Sequence, residues 1–236
     1  MFPKRTVFPG HFPTCSDVLC CTKEDEVFEN REDAARQLAK RLDHYRGRNP
    51  LVLAIPRGAV PMAKIIAEAL QGEIDVVLVR KLRSPYSPEF AVGSIDETGW
   101  SYIADYAESE GAGKEYLERE KAIQMEVLAS RRKQYTPPID PKGRIAIVVD
   151  DGLATGSTMI SALHSLRSRH PSRLICAVPV SPPDTLAKVS LLADETVCLE
   201  APEFFQAVGQ FYRSFPQVED DEVVRILKRA HEKPLR

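Results

Sequence analysis

The chain has 236 residues, 43% of them hydrophobic and 28% charged, and a net charge of −2. That length and balance suit one substantial folded domain, and the lack of a basic excess argues against nucleic acid as a partner. No apolar run reaches membrane-spanning length, and the opening Met1–Thr14 lacks the apolar core of a secretory signal, so a cytoplasmic location without a membrane partner is expected.

Residues 1–22 are rich in Pro, Cys and aromatics without periodicity and read as an arm or tail, leaving 23–236 as a single domain. Five cysteines are an odd number for a disulfide framework. Cys15, Cys20 and Cys21, with His11 nearby, lack C-x-x-C spacing and suit reduced thiols better than a zinc site. Glu29–Tyr45 is predicted helical, with Ala35, Leu38, Ala39 and Leu42 on one face. Leu51–Ile55 reads as a buried strand, Val60–Leu70 as a helix, and Ile74–Val79 as the next strand. Phe90–Ile103 alternates around Glu97–Gly99 and predicts a hairpin, with Trp100 packing at its tip.

A long charged helix follows over Lys114–Tyr135 and stops before Pro137 and Pro138. Then come a strand at Ile145–Val149, a helix from Ser157 to near Arg169, and a strand at Leu174–Val180. A short helix near Asp184–Leu192, a strand at Glu195–Leu199 and a helix at Asp220–Ala230 complete the order. Strands alternating with helices predict an α/β fold, a doubly wound and mainly parallel sheet with helices on both faces. Cys176 and Cys198 fall in the apolar strand patterns, while His44, His164, His170 and His231 fall on helices as surface or packing residues.

The most informative stretch is Ile145–Thr158, I-A-I-V-V-D-D-G-L-A-T-G-S-T. The apolar strand delivers Asp150 and Asp151 to its carboxyl end, where open α/β sheets bind ligands. Gly152, Ala154 and Gly156 let the backbone approach an anion closely, and the N–H groups of the turn and of the following helix then point at it. Thr155, Ser157 and Thr158 add hydroxyl donors. Carboxylates accept from vicinal hydroxyls while the turn holds a phosphate, so the stretch suits a sugar phosphate. No G-x-G-x-x-G follows any strand, and the turn lacks the Lys of a P-loop, which counts against a dinucleotide-dependent oxidoreductase and a P-loop protein.

This stretch resembles the phosphoribosyl pyrophosphate (PRPP) loop of the type I phosphoribosyltransferases, and the resemblance extends over about Val27–Leu227 to bacterial phosphoribosyltransferase-like proteins. It implies Asp150 and Asp151 on the ribose hydroxyls and Ala154–Thr158 around the 5′-phosphate. Gly152 stands where the family usually carries an aliphatic residue. Ala54–Ala59, A-I-P-R-G-A, resembles the family's pyrophosphate loop, with Arg57 and Gly58 as contacts. Arg80 and Lys81 resemble the cationic pair before the family's flexible loop, and are expected at the end of the Ile74–Val79 strand facing the same crevice. That loop is placed at Leu82–Phe90, with Arg83 and Glu89 as further contacts. A hood over the base is expected from residues 200–218 and the N-terminal segment, with Phe204, Phe205, Phe211, Tyr212 and Phe215 filling a hood core or an oligomer contact and one ring free to stack on a base.

The implied activity is transfer of the 5-phosphoribosyl group from PRPP to a nitrogenous base with release of pyrophosphate, a pentosyltransferase reaction. Asp150, Asp151, Arg57 and Lys81 would be the catalytic residues. Mg²⁺ is the implied cofactor, held mainly by substrate and water. The family's 6-oxopurine enzymes commonly place an acid where this chain has Ala154, which points toward adenine-like, pyrimidine or unusual acceptors. The alternative is a non-catalytic PRPP-binding regulator, although no appended DNA-binding domain or basic face is visible. A homodimer is the expected assembly to test.

Overall fold

The structure is a computed structural model that describes residues 28–87 and 90–232. In chain order these form α1 (Arg31–Arg41), β1 (Leu51–Ala54), α2 (Val60–Leu70), β2 (Glu73–Val76), β3 (Val79–Arg83), β4 (Ala91–Asp96), β5 (Ser101–Ile103), α3 (Lys114–Arg132), β6 (Ile145–Val149), α4 (Ser157–Ser168), β7 (Arg173–Val180), α5 (Pro183–Ser190), β8 (Glu195–Glu200) and α6 (Asp220–Glu232). The N-terminal arm with Cys15, Cys20 and Cys21, and Glu89, lie outside the described residues.

Five strands pair in parallel in the order β2-β1-β6-β7-β8. Successive side chains of a strand point to opposite faces, so a strand that is apolar throughout needs cover on both. Val52, Ala54, Ile147, Val149, Ile175 and Ala177 pack on one side with Leu38 of α1, Ile66 of α2 and Leu227 of α6. Leu51, Leu53, Ala146, Val148, Leu174, Cys176 and Val178 pack on the other with Met159, Leu163 and Leu166 of α4 and Val189 of α5. This is the doubly wound α/β sheet expected. The chain leaves β1 toward β2 on one side and β6 toward β7 on the other, so the crevice between β1 and β6 is where the winding reverses.

One strand end differs from the sequence reading by more than a residue. The strand expected over Ile74–Val79 ends at Val76, and Val79 opens β3 in a second, antiparallel sheet of order β3-β4-β5. The pattern V-R-K-L-R interleaves charge with apolar residues, which suits a half-solvated antiparallel strand, whereas β2 is buried from Ile74 through Val76 and suits a parallel one. Arg80, Lys81, Leu82 and Arg83 are therefore strand residues, and the connection to β4 is confined to residues 84–90.

The segment after β8 returns to the start of α1. Phe28 and Tyr212 form a bridge, with Phe28 N donating to Phe211 O at 2.7 Å, Arg213 N to Phe28 O at 2.8 Å and Ser214 N to Glu29 O at 3.0 Å. Asn30 caps α1 by accepting from Asp33 N at 3.0 Å, which sets the helix's first residue, Arg31, under this strip. Among the described residues no helix is long and apolar enough to cross a membrane.

The second sheet is joined to the first through Arg132, at the end of α3. Its Nη1 donates to Asp75 Oδ1 of β2 at 3.0 Å, and its Nε and Nη2 each reach a Glu97 carboxylate oxygen at 2.5 Å. Asp75 also accepts from Ile139 N at 2.9 Å through its other oxygen. The Asp75 side chain is 1% exposed and that of Arg132 13%. Removing one member of so buried a pair leaves the other charge desolvated and unmatched. Arg132→Ala is expected to lower the unfolding free energy by about 3–5 kcal/mol in urea denaturation at neutral pH. A loss below about 1 kcal/mol, the range of exposed pairs, would show that water already serves these charges.

Candidate active site

The end of β6 brings two carboxylates into a poorly solvated place. Asp150 Oδ1 accepts from Asp151 N at 2.9 Å, a local contact that fixes the first carboxylate against the backbone of the second. Burial pushes the Asp150 carboxyl well above the usual carboxylate range, and the neighbouring Asp151 charge pushes it further. Burial also raises Asp151, opposed by the Arg31 guanidinium. Arg31 Nε and Nη2 both lie 2.8 Å from Asp151 Oδ2. Tyr212 donates its hydroxyl to the Asp151 carbonyl at 2.7 Å, so the returning strip holds the backbone of this ledge as well.

The neighbouring strand β1 ends at the same edge, tied to β6 by Ile55 N donating to Val149 O at 2.9 Å. Its turn continues through a cis Pro56–Arg57 peptide to Gly58. A Cβ on Gly58 would fall 2.0 Å from Asp151 Oδ2, so only glycine allows the two turns to approach so closely. Arg57 Nη1 lies 3.4 Å from Asp220 and 3.9 Å from Glu219. A cleft of about 300 Å³ opens here, lined by Arg31, Arg57, Gly58, Asp151, Phe215, Gln217 and Val218.

Beyond the carboxylates the chain makes an exposed turn and enters α4. Gly152 takes a positive φ, and a Cβ there would meet Val208 Cγ1 at 2.5 Å; the segment after β8 thus leaves no room for a side chain at this position. Thr185 Oγ1 donates to the Ala154 carbonyl at 2.9 Å, and the Thr155 and Ser157 hydroxyls share a 2.9 Å hydrogen bond. Gly156 precedes α4 at φ 69° and supplies no side-chain cap. The first-turn N–H groups of a helix have no intrahelical acceptor, so this end is open to an anion. The arrangement can accept hydroxyl protons at Asp150 and Asp151, hold one anion at Thr155–Thr158, and meet a second beside Arg57 and Gly58.

The phosphoribosyl transferase domain family matches residues 24–215, a span that contains both the Arg57–Gly58 turn and the Asp150–Thr158 loop. The chain belongs to that family. The crystal structure of TT1426 from Thermus thermophilus is similar, with 41% identity and a TM-score of 0.78 over 85% of this chain and 97% of that one. Two Mycobacterium tuberculosis proteins, Rv0571c of strain H37Rv and MT0597 of strain CDC 1551, carry the provisional name of phosphoribosyl transferase. Each is 42% identical over 210 residues, 87% of this chain and 47% of its own length. The chain thus spans about half the length of those relatives.

Of the residues that the family resemblance singled out, Arg57, Gly58, Asp150 and Asp151 converge across the β1–β6 edge, and Gly152, Ala154, Thr155, Gly156, Ser157 and Thr158 run on from them. Arg80 and Lys81 are placed differently from expectation. Adjacent strand residues point to opposite faces, so the two cations do not both face one crevice; Arg80 Nε donates to Gln124 Oε1 of α3 at 2.9 Å, while Lys81 is exposed on β3. Among the described residues no hydrogen bond or ion pair joins either to Asp150, Asp151 or Arg57.

The sequence reading missed Arg31 altogether. It lies 120 positions from Asp151 in a helix that reads as ordinary amphipathic cover, and its only local signal is its place directly after the Asn30 cap. Tyr212 was one of five crowded aromatics, and its hydroxyl contact to the Asp151 carbonyl sets it at the carboxylates. Phe215 stacks 4.8 Å from Tyr212 and lies under Arg31, Phe205 meets Phe211 at 5.2 Å, and Phe204 is exposed.

The paired carboxylates have a measurable electrostatic signature. A carboxyl raised above its ordinary value penalises folding at neutral pH, and the penalty is relieved as pH falls through the raised value. Asp151→Asn removes the neighbouring charge that raises Asp150 and leaves Arg31 nearby, so the Asp150 midpoint is expected to move down toward the ordinary value of about 3.9. Carboxyl ¹³C NMR titration of both forms checks this, and an unmoved midpoint would show that the two carboxylates do not interact.

Proposed function

We propose that the protein transfers the 5-phosphoribosyl group of PRPP to a nitrogen of a base and releases pyrophosphate, with Mg²⁺ as cofactor. The observation that carries this reading is the approach of the Gly58 turn to the Asp151 carboxylate, which brings a diol acceptor and an anion-binding turn from adjacent strands into one cleft. Asp150 and Asp151 accept from the ribose 2′- and 3′-hydroxyls. The α4 end with Thr155, Ser157 and Thr158 takes the 5′-phosphate, and Arg57 with the Gly58 backbone meets the pyrophosphate. Lys81, exposed on β3, is the further cation of this reading, and Arg80 serves it by anchoring β3 to α3.

Departure of pyrophosphate leaves a sugar with oxocarbenium character, so the work of the protein is positioning and charge stabilisation. The carboxylates beside the ribose favour positive charge at C1′, and the cations favour negative charge on the leaving group. Among the described residues no cluster of three or more His, Cys, Asp or Glu stands ready to enclose a metal. Two adjacent carboxylates beside substrate phosphates nevertheless fit Mg²⁺, which keeps several waters and takes few protein ligands. When bound it would neutralise the leaving group's charge. Ala154 stands where the resemblance sets a proton-accepting acid in 6-oxopurine enzymes; its methyl takes no proton, and this favours bases other than 6-oxopurines.

The direct test is pyrophosphate release from PRPP with Mg²⁺, alone and with a panel of purines, pyrimidines and related heterocycles. Release that depends on one base is the expected result and names the acceptor; no release with any base, together with tight PRPP binding, would favour a PRPP sensor. Removing divalent ions with EDTA is expected to abolish release, and restored Mg²⁺ to recover it. Asp151→Asn is expected to weaken ribose 5-phosphate binding by about tenfold or more, because a hydrogen bond to a charged group is worth about 1.5–3 kcal/mol. Unchanged affinity by calorimetry would remove Asp151 from the ribose role.

A further inference from the structure

Arg31 lies across the cleft with its donors committed to the chain itself. Nε and Nη2 converge on Asp151 Oδ2 at 2.8 Å, and Nη1 donates to Pro216 O at 2.6 Å. The guanidinium lies 3.7 Å from the centre of the Phe215 ring, and the side chain is 11% exposed. On the other side of Gly58, Arg57 likewise rests on carboxylates, those of Asp220 and Glu219. Both cations that line the cleft are thus paired internally, and Arg31 crowds the same point as the Asp151 carboxylate: a Cβ on Gly58 would sit 2.0 Å from Asp151 Oδ2 and 3.3 Å from Arg31 Nε.

We propose that Arg31 is an exchange residue, which occupies Asp151 until a sugar diol takes that carboxylate and then pairs with the anionic group the same ligand carries into the cleft. The inference rests on the reading of Asp151 as a ribose acceptor. Oδ2 already accepts from Nε and lies at ion-pair distance from Nη2, so a hydroxyl that donates to that oxygen competes with the guanidinium for it. A guanidinium has five donors and does not deprotonate, and once displaced at this burial it needs another acceptor or stays as an uncompensated charge. Pyrophosphate oxygens beside Arg57 and Gly58 are such acceptors, and bidentate pairing with phosphate suits the planar fork.

A ligand with the diol alone takes Asp151 and strands Arg31. A ligand with the diol and a polyanion at C1′ satisfies both partners at once. Arg31 therefore makes the two binding events cooperative and selects the intact pyrophosphorylated sugar over ribose 5-phosphate, the sugar phosphate left after hydrolysis. The 5′-phosphate does not substitute for the missing anion, because its proposed place is the α4 end, on the other side of the carboxylates.

Calorimetric titration of the full chain in Mg²⁺ with ribose 5-phosphate and with PRPP tests this in the wild type, Arg31→Gln and Arg31→Lys. Arg31→Gln is expected to tighten ribose 5-phosphate by about threefold and to weaken PRPP by about tenfold, opposite signs from one substitution. Arg31→Lys keeps the charge but has a single ammonium in place of the fork, so it is expected to hold PRPP within about threefold while also tightening ribose 5-phosphate. Circular dichroism reports folding, and if the glutamine variant does not fold, the lysine variant decides the matter by the same comparison. Equal weakening of both ligands, or no change in either, overturns the exchange role. A wild type that binds neither ligand overturns the ribose reading and this inference with it, whereas binding that is lost in Asp151→Asn and indifferent to Arg31 overturns this inference alone.

Discussion

The parallel pairing of β1 with β6 is the constraint on which the site depends. Leu51–Ala54 aligns with Ala146–Val149 in register, so both strands end at one level and both turns leave from the same edge. Neither strand has a polar face, and each is held between two helical layers that leave no freedom for a slip of one residue, which would exchange the two faces of the core. The Arg57–Gly58 turn and the Asp150–Thr158 loop, more than ninety positions apart in the sequence, meet because of that register. Glycine at 58 then permits an approach that any side chain would block.

The resulting cleft is electrostatically costly. Two adjacent carboxylates are placed where water is scarce, and burial raises both above their ordinary range. What holds them is the strip that follows β8: Tyr212 bonds the Asp151 carbonyl, Val208 packs against Gly152, and Pro216 and Phe215 hold Arg31 beside the Asp151 side chain. The segment after β8 is therefore structurally continuous with the carboxylate ledge, and a change in one is felt by the other. Locally unfavourable charge maintained by surrounding structure is characteristic of sites that act on ligands.

Much of this fold was legible because its signals are local. The helix Val60–Leu70 and the strand Ile145–Val149 match the sequence reading at both ends, since an apolar run bounded by a Gly or Asp turn is unambiguous. The strand beyond Ile74 was misjudged because Val76 to Val79 is continuously apolar, and hydrophobicity alone does not show that the chain passes from one sheet to another there. Arg80 and Lys81 were assigned to a common crevice for the same reason: their sequence neighbourhood says they are cations after a strand, and only pairing with β4 shows that they belong to opposite faces.

By itself the sequence determined the alternation of strands and helices and the parallel sheet, and it singled out the D-D-G-L-A-T-G-S-T turn as the candidate site, because each rests on residues close together in the chain. Tertiary structure alone decided which other residues stand beside that turn. Arg31 on the Asp151 carboxylate, Tyr212 on its carbonyl, Gly58 against it and Arg132 between the two sheets are contacts across long separations, set by strand order and helix packing. Periodicity and motif carry no information about such pairings, since a guanidinium on an amphipathic helix looks the same in sequence whether it faces water or a buried carboxylate.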